Sequence, residues 1–502
     1  MLITMPYIIH QQIKGHVYAY EVTGEWDPLK KNSRQKRKYI GRVDEHGNII
    51  PKRTSTLPKK IDGAYDFGDV FLILRVSRDL GLDSLLDRVF GNQGRKLLIL
   101  ATSRIIMTGG LRLVQAWLSR TYLEDRIESQ RISEILSTAG KGSMEFAVQW
   151  LKSSEKEDSI YLDVTSLESY STGNRFPEFG YSRSGRDEPR INLGVIMGRS
   201  MRPLFYDVYP GSIPDVKTLL NSLDMLEKFG ITKIILVLDR GFYATYNIRA
   251  LTRFTFIMPL PFKTMAAKNI LRECMRMKPE HAQMHSGSLI YTRSGGFSLD
   301  EIKLHFTYYH DPDREGREKR RFLQKLTRVE QDLHAITDMT RIDEVAGPYK
   351  KYLTIGPDLV IRRKNSAISR RLNRMGRMIL MSNSAMEWNG ILDLYRSRDR
   401  VEKGFRDMKS DLDALPMGTH TAETMQGYLL VQFLSLILES EMRRRMRASG
   451  LSKRMGLHEM LIELSKLRVV KLEDSRFLTE ISKRQREIYQ GMGIDEESIV
   501  IN

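Results

Sequence analysis

Four residues combine a phenol, a guanidinium, a carboxylate and an ammonium group at a fixed spacing. Tyr395, Arg398, Glu402 and Lys409 lie in the segment YRSRDRVEKGFRDMK. On a helix with about 100° per residue they fall within an arc of roughly 60°, so they would share one face. A carboxylate flanked by two fixed cations suits a site that holds a metal ion and binds phosphates. The alternative interpretation is an amphipathic helix whose charged face is solvated.

Two aspartates occupy positions where an unpaired carboxylate is costly. Asp163 lies within an otherwise apolar run, and Asp239 ends a run of five aliphatic residues. Burial there is unfavourable unless the carboxylate pairs with a cation or binds a metal ion. In a mixed sheet, the middle of the first strand lies next to the carboxyl end of a parallel neighbour, so we expect the two aspartates to approach each other.

Asp163, Asp239 and Glu402 would together supply oxygen ligands without a thiolate or an imidazole. Such a set favours Mg²⁺ or Mn²⁺ over zinc. Two such ions about 4 Å apart support in-line attack on a phosphodiester. Each aspartate alone also has a plainer interpretation: Asp163 as a strand-edge or turn residue, and Asp239 as a helix N-cap or loop residue before Arg240.

The charge balance favours a polyanionic partner, most simply nucleic acid. The chain has 80 Lys and Arg against 62 Asp and Glu, a formal net charge of +18. A single cysteine, Cys274, excludes an internal disulfide, and no Cys/His cluster has zinc-site spacing. Because a signal-peptide pattern and a membrane-length apolar run are both missing, we expect a soluble protein of a reducing compartment. No Walker loop indicates nucleotide hydrolysis.

The hydrophobic periodicity from residue 159 onward predicts an α/β fold with a mixed sheet. The predicted order is βββαβαβ. The predicted strands are Ser159–Ser166, Ile191–Met197, Pro203–Tyr209, Lys233–Leu238 and Phe254–Leu260, and the predicted helices are Pro214–Phe229 and Phe242–Arg253.

The flanking segments have different patterns. Residues 7–53 predict short strands around a basic loop, Asp27–Lys38, that would grip phosphates, followed by a linker over 51–63. Helical periodicity then extends to about Ser153, with two short helices expected around Gly140 and Gly142. Farther on, the predicted strands are Ser288–Thr292, Lys303–Tyr309, Lys351–Arg363 and Met378–Ser382, and the predicted helices are Asp313–Leu333, His420–Arg447, Leu457–Leu467 and Leu478–Met492.

The three acidic blocks resemble those of the insertion-sequence DDE transposases that carry a Y-x2-R-x3-E-x6-K (YREK) signature. The blocks are YLDVTSLES around Asp163, ILVLDRGFY around Asp239, and the four residues 395, 398, 402 and 409, which match the signature spacing in full. The resemblance covers roughly residues 155–415. The β-hairpin with the sequence KRKYIG is also similar to the N-terminus of longer members.

This resemblance implies an RNase H-like catalytic domain with a β-rich insertion before the helix that bears the third carboxylate. Asp163, Asp239 and Glu402 would hold two Mg²⁺ ions, with Mn²⁺ as a substitute. The enzyme would cleave DNA at the terminal inverted repeats and join the freed 3′-hydroxyl ends to target DNA. Arg398, Lys409 and Tyr395 would grip phosphates near the cut end.

The resemblance also implies double-stranded DNA as the partner, a homodimer in the DNA complex and a cytoplasmic, nucleoid-associated location in a prokaryote. Further DNA contacts are expected from Arg240, Lys36 and Arg37. In some relatives a tryptophan of the insertion receives a flipped base, but this insertion has no tryptophan. Either no base is flipped, or an aromatic residue takes that place; the candidates are Phe262, Tyr308 and Tyr309.

Six regions follow from these patterns. They are an N-terminal β-rich basic segment (1–60), an all-α DNA-binding domain (61–154), the first part of the catalytic core (155–261), the inserted β-rich subdomain with a charged helix (262–376), the second part of the core (377–418) and a C-terminal helical region (419–502), whose first long helix is a candidate dimer interface. Two other functions stay open, a catalytically inactive DNA-binding relic and a two-metal nuclease without strand transfer.

Overall fold

The computed structural model of the chain describes most of its residues. The described ranges are 6–13, 15–27, 32–44, 47–51, 61–107, 109–153, 157–168, 177–178, 189–212, 215–231, 233–275, 279–336, 339–356, 360–398, 421–472 and 475–501. By its contacts the chain divides into two compact units. One consists of Met1–Ala64 with Val470–Phe477, and the other of Tyr65–Val469 with Leu478–Asn502.

The N-terminal segment forms a four-stranded antiparallel sheet in sequential order. The predicted strands are confirmed, but the predicted loop over Asp27–Lys38 is wrong for residues 32–38, which belong to the third strand; residues 28–31 lie outside the described ranges. Residues 32–38 contain no β-branched or aromatic residue, and they extend the strand because they pair with residues 21–27 of β2. The strands are β1 (Tyr7–Ile13), β2 (His16–Asp27), β3 (Asn32–Val43) and β4 (Ile49–Pro51).

The next segment is mainly helical, as predicted, but it begins with a strand inside the expected linker and ends in one long helix instead of two short ones. Its elements are β5 (Ile61–Asp66), α1 (Gly68–Asp79), α2 (Leu82–Phe90), α3 (Gly94–Ile106), α4 (Val114–Leu118) and α5 (Ile132–Ser153).

The predicted order βββαβαβ is confirmed in the following segment. A short 3-10 turn, Arg240–Phe242, precedes the second helix, which is therefore shorter than predicted. The elements are β6 (Ser159–Glu168), β7 (Arg190–Gly198), β8 (Pro203–Pro210), α6 (Asp215–Lys228), β9 (Ile235–Val237), α7 (Thr245–Leu251) and β10 (Thr255–Pro259).

The segment after β10 is mixed in structure and contains the predicted charged helix and most of the predicted strands. The prediction of one strand over Lys351–Arg363 is wrong, because two short strands pair there in antiparallel fashion. Its elements are α8 (Met265–Cys274), β11 (Ala282–His285), β12 (Ser288–Leu299), β13 (Ile302–His310), α9 (Pro312–His334), α10 (Ile342–Ala346), β14 (Leu353–Ile355), β15 (Ile361–Arg363), α11 (Asn365–Leu372), β16 (Arg377–Ser382) and α12, which is described over residues 388–398.

The C-terminal segment is mainly helical as predicted, with two differences. Two short strands follow the second helix, and the last helix starts five residues later than predicted, at a Ser482 capping box. The elements are α13 (Ala422–Ala448), α14 (Leu457–Ser465), β17 (Arg468–Leu472), β18 (Arg476–Leu478) and α15 (Lys483–Gly491). The strands β18, β17 and β5 form a three-stranded sheet in that order.

A nine-stranded mixed sheet runs through the larger unit in the order β11-β12-β13-β16-β10-β9-β6-β7-β8. Within it, β9 pairs in parallel with both β6 and β10, whereas the outer pairs are antiparallel. The strands of the inserted segment therefore extend the central sheet through β13 and β16. A smaller apolar cluster around Phe322, Leu326 and Leu353 lies under α9.

The main core of the larger unit is continuous, and α13 lies within it. The apolar residues of α13 are buried against α5 and α3 of the same chain, so this helix is not available as the dimer interface considered from the sequence. Trp117 and Trp150 are buried in this core. Among the described residues no single helix has the length and apolarity to cross a membrane; by length and composition alone, the bent pair Leu82–Ile106 and Leu111–Leu118 meets that test.

Two glycines explain why α5 is continuous. A Cβ atom on Gly140 of α5 would lie 1.9 Å from the carbonyl oxygen of Glu423, and one on Gly427 of α13 would lie 1.9 Å from the carbonyl oxygen of Leu136. The glycines thus allow the backbones of the two helices to touch, at a separation that any side chain would prevent. Glycine here serves helix packing and does not break the helix.

We expect Gly140→Ala to destabilise the protein by about 2 kcal/mol or more, because the new methyl group overlaps a backbone carbonyl that cannot move alone. The matched control is Gly316→Ala in α9, where a Cβ meets no atom within 4 Å. That change should stabilise by up to about 1 kcal/mol through helix propensity. Thermal unfolding of both variants measures the difference, and equal melting temperatures would contradict the proposed packing role.

A half-buried ion cluster joins the start of α9 to β16. Glu315 accepts hydrogen bonds from Lys319 (2.5 Å), Arg377 (3.1 Å) and His310. Burial alone would raise the pKa of Glu315, but these three hydrogen bonds more than offset it and lower the pKa from 4.5 to about 2. The cluster therefore fixes the orientation of α9 relative to the sheet.

Because the folded-state pKa of Glu315 lies below its unfolded value, its contribution to stability is present above about pH 4.5 and is lost as the pH falls toward about 2. We expect Glu315→Gln to lower stability by about 1–3 kcal/mol at pH 7, with a difference from wild type that shrinks below pH 4.5. Melting temperatures at pH 7, 4.5 and 3 measure this. Asp313→Asn, an exposed change on the same turn, is the control; a pH-independent effect of Glu315→Gln would refute the assignment.

Candidate active site

The parallel pairing of β6 with β9 brings two predicted carboxylate positions together in the backbone. Tyr161 of β6 is the register partner of Val237 of β9. Residues 163 and 239 each lie two positions beyond that pair. Neighbouring strands are about 4.8 Å apart, so residues 163 and 239 are neighbours if the pairing direction continues. The side chain of Asp163 lies outside the described part of the structure.

Asp239 lies where β9 ends and the chain turns. Its carboxylate accepts a hydrogen bond from the backbone N–H of Arg240 at 2.5 Å and so caps the 3-10 turn Arg240–Phe242. Four of the five aliphatic residues before it are buried, whereas the Asp239 side chain is 42% exposed. The capping interpretation is therefore correct, and it leaves the second oxygen of an accessible carboxylate at the sheet edge for another ligand.

Helix α12 is held over this edge by hydrogen bonds to both parts of the sheet. The Tyr161 hydroxyl of β6 donates to the carbonyl oxygen of Leu394 at 3.1 Å. The Tyr309 hydroxyl of β13 donates to the carbonyl oxygen of Trp388 at 2.5 Å. These bonds fix the helix at two points about 1.7 turns apart.

A third contact comes from the inserted strands. His285 of β11 lies 2.9 Å from the carboxylate of Asp393 and packs edge-on against Trp388. These supporting roles could not be predicted for His285 and Tyr161, and Tyr309 was considered only as a receptor for a flipped base. Nothing local distinguishes a strand tyrosine or histidine that supports a distant helix from an ordinary core residue.

Arg398, predicted to grip phosphate, contacts the candidate catalytic aspartate in this structure. Its Nη1 atom lies 3.1 Å from Oδ1 of Asp239 and 3.5 Å from the Tyr395 hydroxyl, and its guanidinium lies 6.0 Å from the centre of the Tyr395 ring. Arg398 is only 8% exposed. The predicted helix and the shared face of Tyr395 and Arg398 are therefore confirmed. The guanidinium of Arg398 is the cation that pairs with the Asp239 carboxylate.

The other two members of the predicted set, Glu402 and Lys409, lie outside the described residues. Among the residues that are described, no group of three or more acidic, histidine or cysteine side chains could hold a metal ion. The donor chemistry at Asp239 nevertheless fits a hard cation, because its carboxylate is accessible and already pairs with a positive charge.

The remaining predicted DNA contacts occupy two separate places in the chain. Arg240 follows Asp239 directly in the 3-10 turn of the larger unit. Lys36 and Arg37 lie on β3 of the smaller unit, where both are exposed, and the Arg37 guanidinium donates to Gln35 at 3.5 Å.

Two of the three candidate receptors for a flipped base are wrong. Tyr308 and Tyr309 are 1% and 3% exposed, so neither ring offers a face to a ligand. Burial raises the pKa of both hydroxyls, to about 12 for Tyr308, so they remain neutral. Phe262 is partly exposed at the wall of a cavity.

Comparison with known families covers the same region. A family model described as "Transposase DDE domain" matches residues 155–438. That range is more than half of the 502-residue chain, and it includes both aspartate positions and α12. No curated protein gives a significant match.

We expect Arg398→Gln to increase the affinity of the free protein for Mn²⁺ by roughly tenfold. The reason is that the guanidinium competes with a metal ion for the Asp239 carboxylate, and about 1.4 kcal/mol corresponds to a factor of ten. Isothermal titration with Mn²⁺, without DNA, measures the change. Arg396→Gln, whose guanidinium lies near Asp311 at 3.9 Å, is the control. Equal or weaker Mn²⁺ binding by Arg398→Gln would rule out the competition.

Proposed function

Because the chain belongs to the Transposase DDE domain family, we propose that it is the transposase of an insertion sequence of the YREK group. It binds the terminal inverted repeats of its element, cleaves DNA at the element ends and joins the 3′-hydroxyl ends to target DNA. DNA is the partner that the family implies, and the net charge of +18 is consistent with it.

The observation that carries this proposal is the coincidence of the family match with the backbone register of β6 and β9. The match over 155–438 spans the three acidic blocks. Within it, residues 163 and 239 each lie two positions after the paired residues Tyr161 and Val237. The RNase H-like assignment of the core is supported by an antiparallel meander, β6 to β8, continued through the parallel strands β9 and β10.

In this proposal, Asp163, Asp239 and Glu402 hold two Mg²⁺ ions, for which Mn²⁺ can substitute. When bound, the ions activate the attacking oxygen and stabilise the leaving oxygen of a phosphodiester. The protein's own part would be to hold Asp163 on β6 and Asp239 just after the end of β9; Glu402 lies beyond the described end of α12.

Arg398 would have two successive partners. Without DNA its guanidinium neutralises Asp239. A DNA phosphate near the cut offers a bidentate partner that suits a planar guanidinium at least as well. Transfer of Arg398 from Asp239 to phosphate would free the carboxylate for the metal ion when the substrate arrives. Tyr395 and Lys409 would bind the same phosphates, and Arg240 would contact DNA one residue beyond Asp239.

The remaining proposals concern assembly and DNA capture. The exposed side chains of Lys36 and Arg37 would bind phosphates through the N-terminal sheet. A homodimer would hold the two element ends together, so that both are cut in one complex. Two-fold symmetry is the commonest arrangement for such assemblies.

The proposal is tested with labelled terminal-repeat DNA and Mg²⁺. We expect wild type to nick and join, while Asp163→Asn, Asp239→Asn and Glu402→Gln bind DNA at least as tightly as wild type but cut at least about 10³-fold more slowly, because each loses a metal ligand. The control is Asp158→Asn, which removes an exposed carboxylate paired with Arg199 at the start of β6.

The other outcomes would change either the residue roles or the function. Cutting that survives Glu402→Gln removes Glu402 from the mechanism. Wild-type cutting without joining favours the nuclease, and wild-type binding without cutting favours the inactive relic.

A further inference from the structure

The N-terminal sheet concentrates its exposed apolar side chains on one of its two faces. Five large apolar residues are exposed in the described part of this sheet, and the strand register places four of them on the same face. The four are Tyr7, Ile13, Tyr39 and Ile50, whereas Ile8 points to the opposite face. Exposed apolar side chains grouped in this way mark a surface that binds a ligand or a partner.

Tyrosine rings and one imidazole form the centre of this face. The ring centres of Tyr20 and Tyr39 lie 5.5 Å apart, those of Tyr18 and Tyr39 lie 5.9 Å apart, and those of His16 and Tyr18 lie 6.5 Å apart. Tyr7 is 48% exposed and Tyr39 is 36% exposed. We call Tyr7, His16, Tyr18, Tyr20 and Tyr39 the tyrosine platform.

Two exposed guanidinium groups lie on the same face as the tyrosine platform. The register pairs Arg37 with Val22 and Arg42 with Tyr18, which places both arginines on that face. The Nη2 atom of Arg42 lies 2.7 Å from Nδ1 of His16. Within the described residues neither guanidinium forms an ion pair. The face therefore combines aromatic rings with positive charge.

The charge of the segment indicates the class of ligand. Residues 1–64 contain 12 Lys and Arg against 6 Asp and Glu. A second copy of this chain would bring the same positive charge to the platform and be repelled, whereas a polyanion would be attracted. Nucleic acid is the polyanion whose bases also stack on aromatic side chains.

The arrangement of the rings favours an unpaired strand over a duplex. The bases of a duplex stack on one another and show only their edges in the grooves, so their faces are not available to a protein ring. An unpaired strand exposes the faces of its bases. The tyrosines of the platform extend over β1, β2 and β3, which spans about 10 Å at the usual strand spacing. More than one base could therefore stack on the platform.

We propose that the tyrosine platform binds single-stranded nucleic acid. Bases stack on Tyr18, Tyr20 and Tyr39, and Arg37 and Arg42 bind the phosphates beside them. This binding requires neither the acidic residues nor DNA cleavage, so it goes beyond the proposed function.

Two sources supply this chemistry, RNA and an unpaired DNA strand. The side chain of Gln35 lies at the margin of the platform, where its Nε2 atom donates a hydrogen bond to the Tyr7 hydroxyl at 3.1 Å. Amide and hydroxyl groups beside the rings can donate to and accept from a 2′-hydroxyl, the group that distinguishes RNA from DNA. The polar margin of the platform therefore favours RNA.

The test measures the fluorescence anisotropy of a labelled octauridylate with the full chain, without Mg²⁺, over a series of salt concentrations. We expect Tyr18→Leu with Tyr39→Leu to raise the Kd at least about tenfold, because stacking is lost while charge is kept. The matched control is Tyr18→Phe with Tyr39→Phe, which keeps both rings and should change the Kd less than about threefold. Melting temperatures equal to wild type verify that every variant is folded.

Two adjacent residues of β3 provide a second matched pair. Arg37→Gln should raise the Kd and reduce the salt slope by about 0.7, because one phosphate contact is lost. Lys38→Gln removes the same charge from an exposed side chain that pairs with Glu21 on the opposite face, and it should leave the salt slope unchanged. Equal effects of the two changes would overturn the assignment of the ligand to the platform.

Competition identifies the source of the strand. Stronger displacement of the probe by unlabelled octauridylate than by octadeoxyuridylate, which lacks only the 2′-hydroxyl groups, supports RNA. The reverse order supports an unpaired DNA strand, and equal displacement supports a platform for single strands of either kind. A duplex that displaces the probe as well as either single strand overturns the proposal.

Two further results would also overturn it. One is an unchanged Kd in the double leucine variant. The other is the loss of a dimer in sedimentation of that variant while octauridylate still binds, which would assign this face to a second copy of the chain. Asp239→Asn should bind octauridylate as wild type does, so failure of the platform and failure of the proposed function are distinguishable.

Discussion

The parallel pairing of β6 with β9 is the constraint on which the rest of the site depends. β9 has only three residues, yet it pairs on both sides with parallel strands, and Leu236 and Val237 are fully buried. A strand held in this way cannot shift its register without exposing its apolar residues. The backbone that leads to Asp239 is therefore fixed, and the Asp239 carboxylate becomes accessible just beyond the buried strand residues.

The sheet also determines where the signature helix lies. α12 is bonded to β6 through Tyr161 and to β13 through Tyr309, so it spans the core and the inserted strands. Because β13 pairs with β16, the insertion continues the sheet that carries Asp239. The relative positions of Asp239, Arg398 and the inserted strands are consequently set by one hydrogen-bonded framework.

The ion pair between Arg398 and Asp239 is central to the proposed chemistry. A half-exposed carboxylate at the edge of an apolar sheet needs a cation, and a nearly buried guanidinium supplies one at 3.1 Å. A metal ion and a phosphate could replace the two members of this ion pair without leaving either charge unpaired. Free protein and DNA complex would then differ chiefly in the partners of Asp239 and Arg398.

The sequence by itself determined the order βββαβαβ, the position of Asp239 at a strand end and the common helical face of Tyr395 and Arg398, because each follows from local periodicity and strand-end chemistry. Domain boundaries and the roles of Asp163, Glu402 and Lys409 remain predictions. Only the tertiary structure decided that Gly140 brings two helices together, that the inserted strands join the central sheet, that Arg398 pairs with Asp239 and that the tyrosines of β1, β2 and β3 share one face. These depend on contacts between residues up to about 290 positions apart, and no local pattern specifies which distant partner a glycine, a strand edge or a cation will meet.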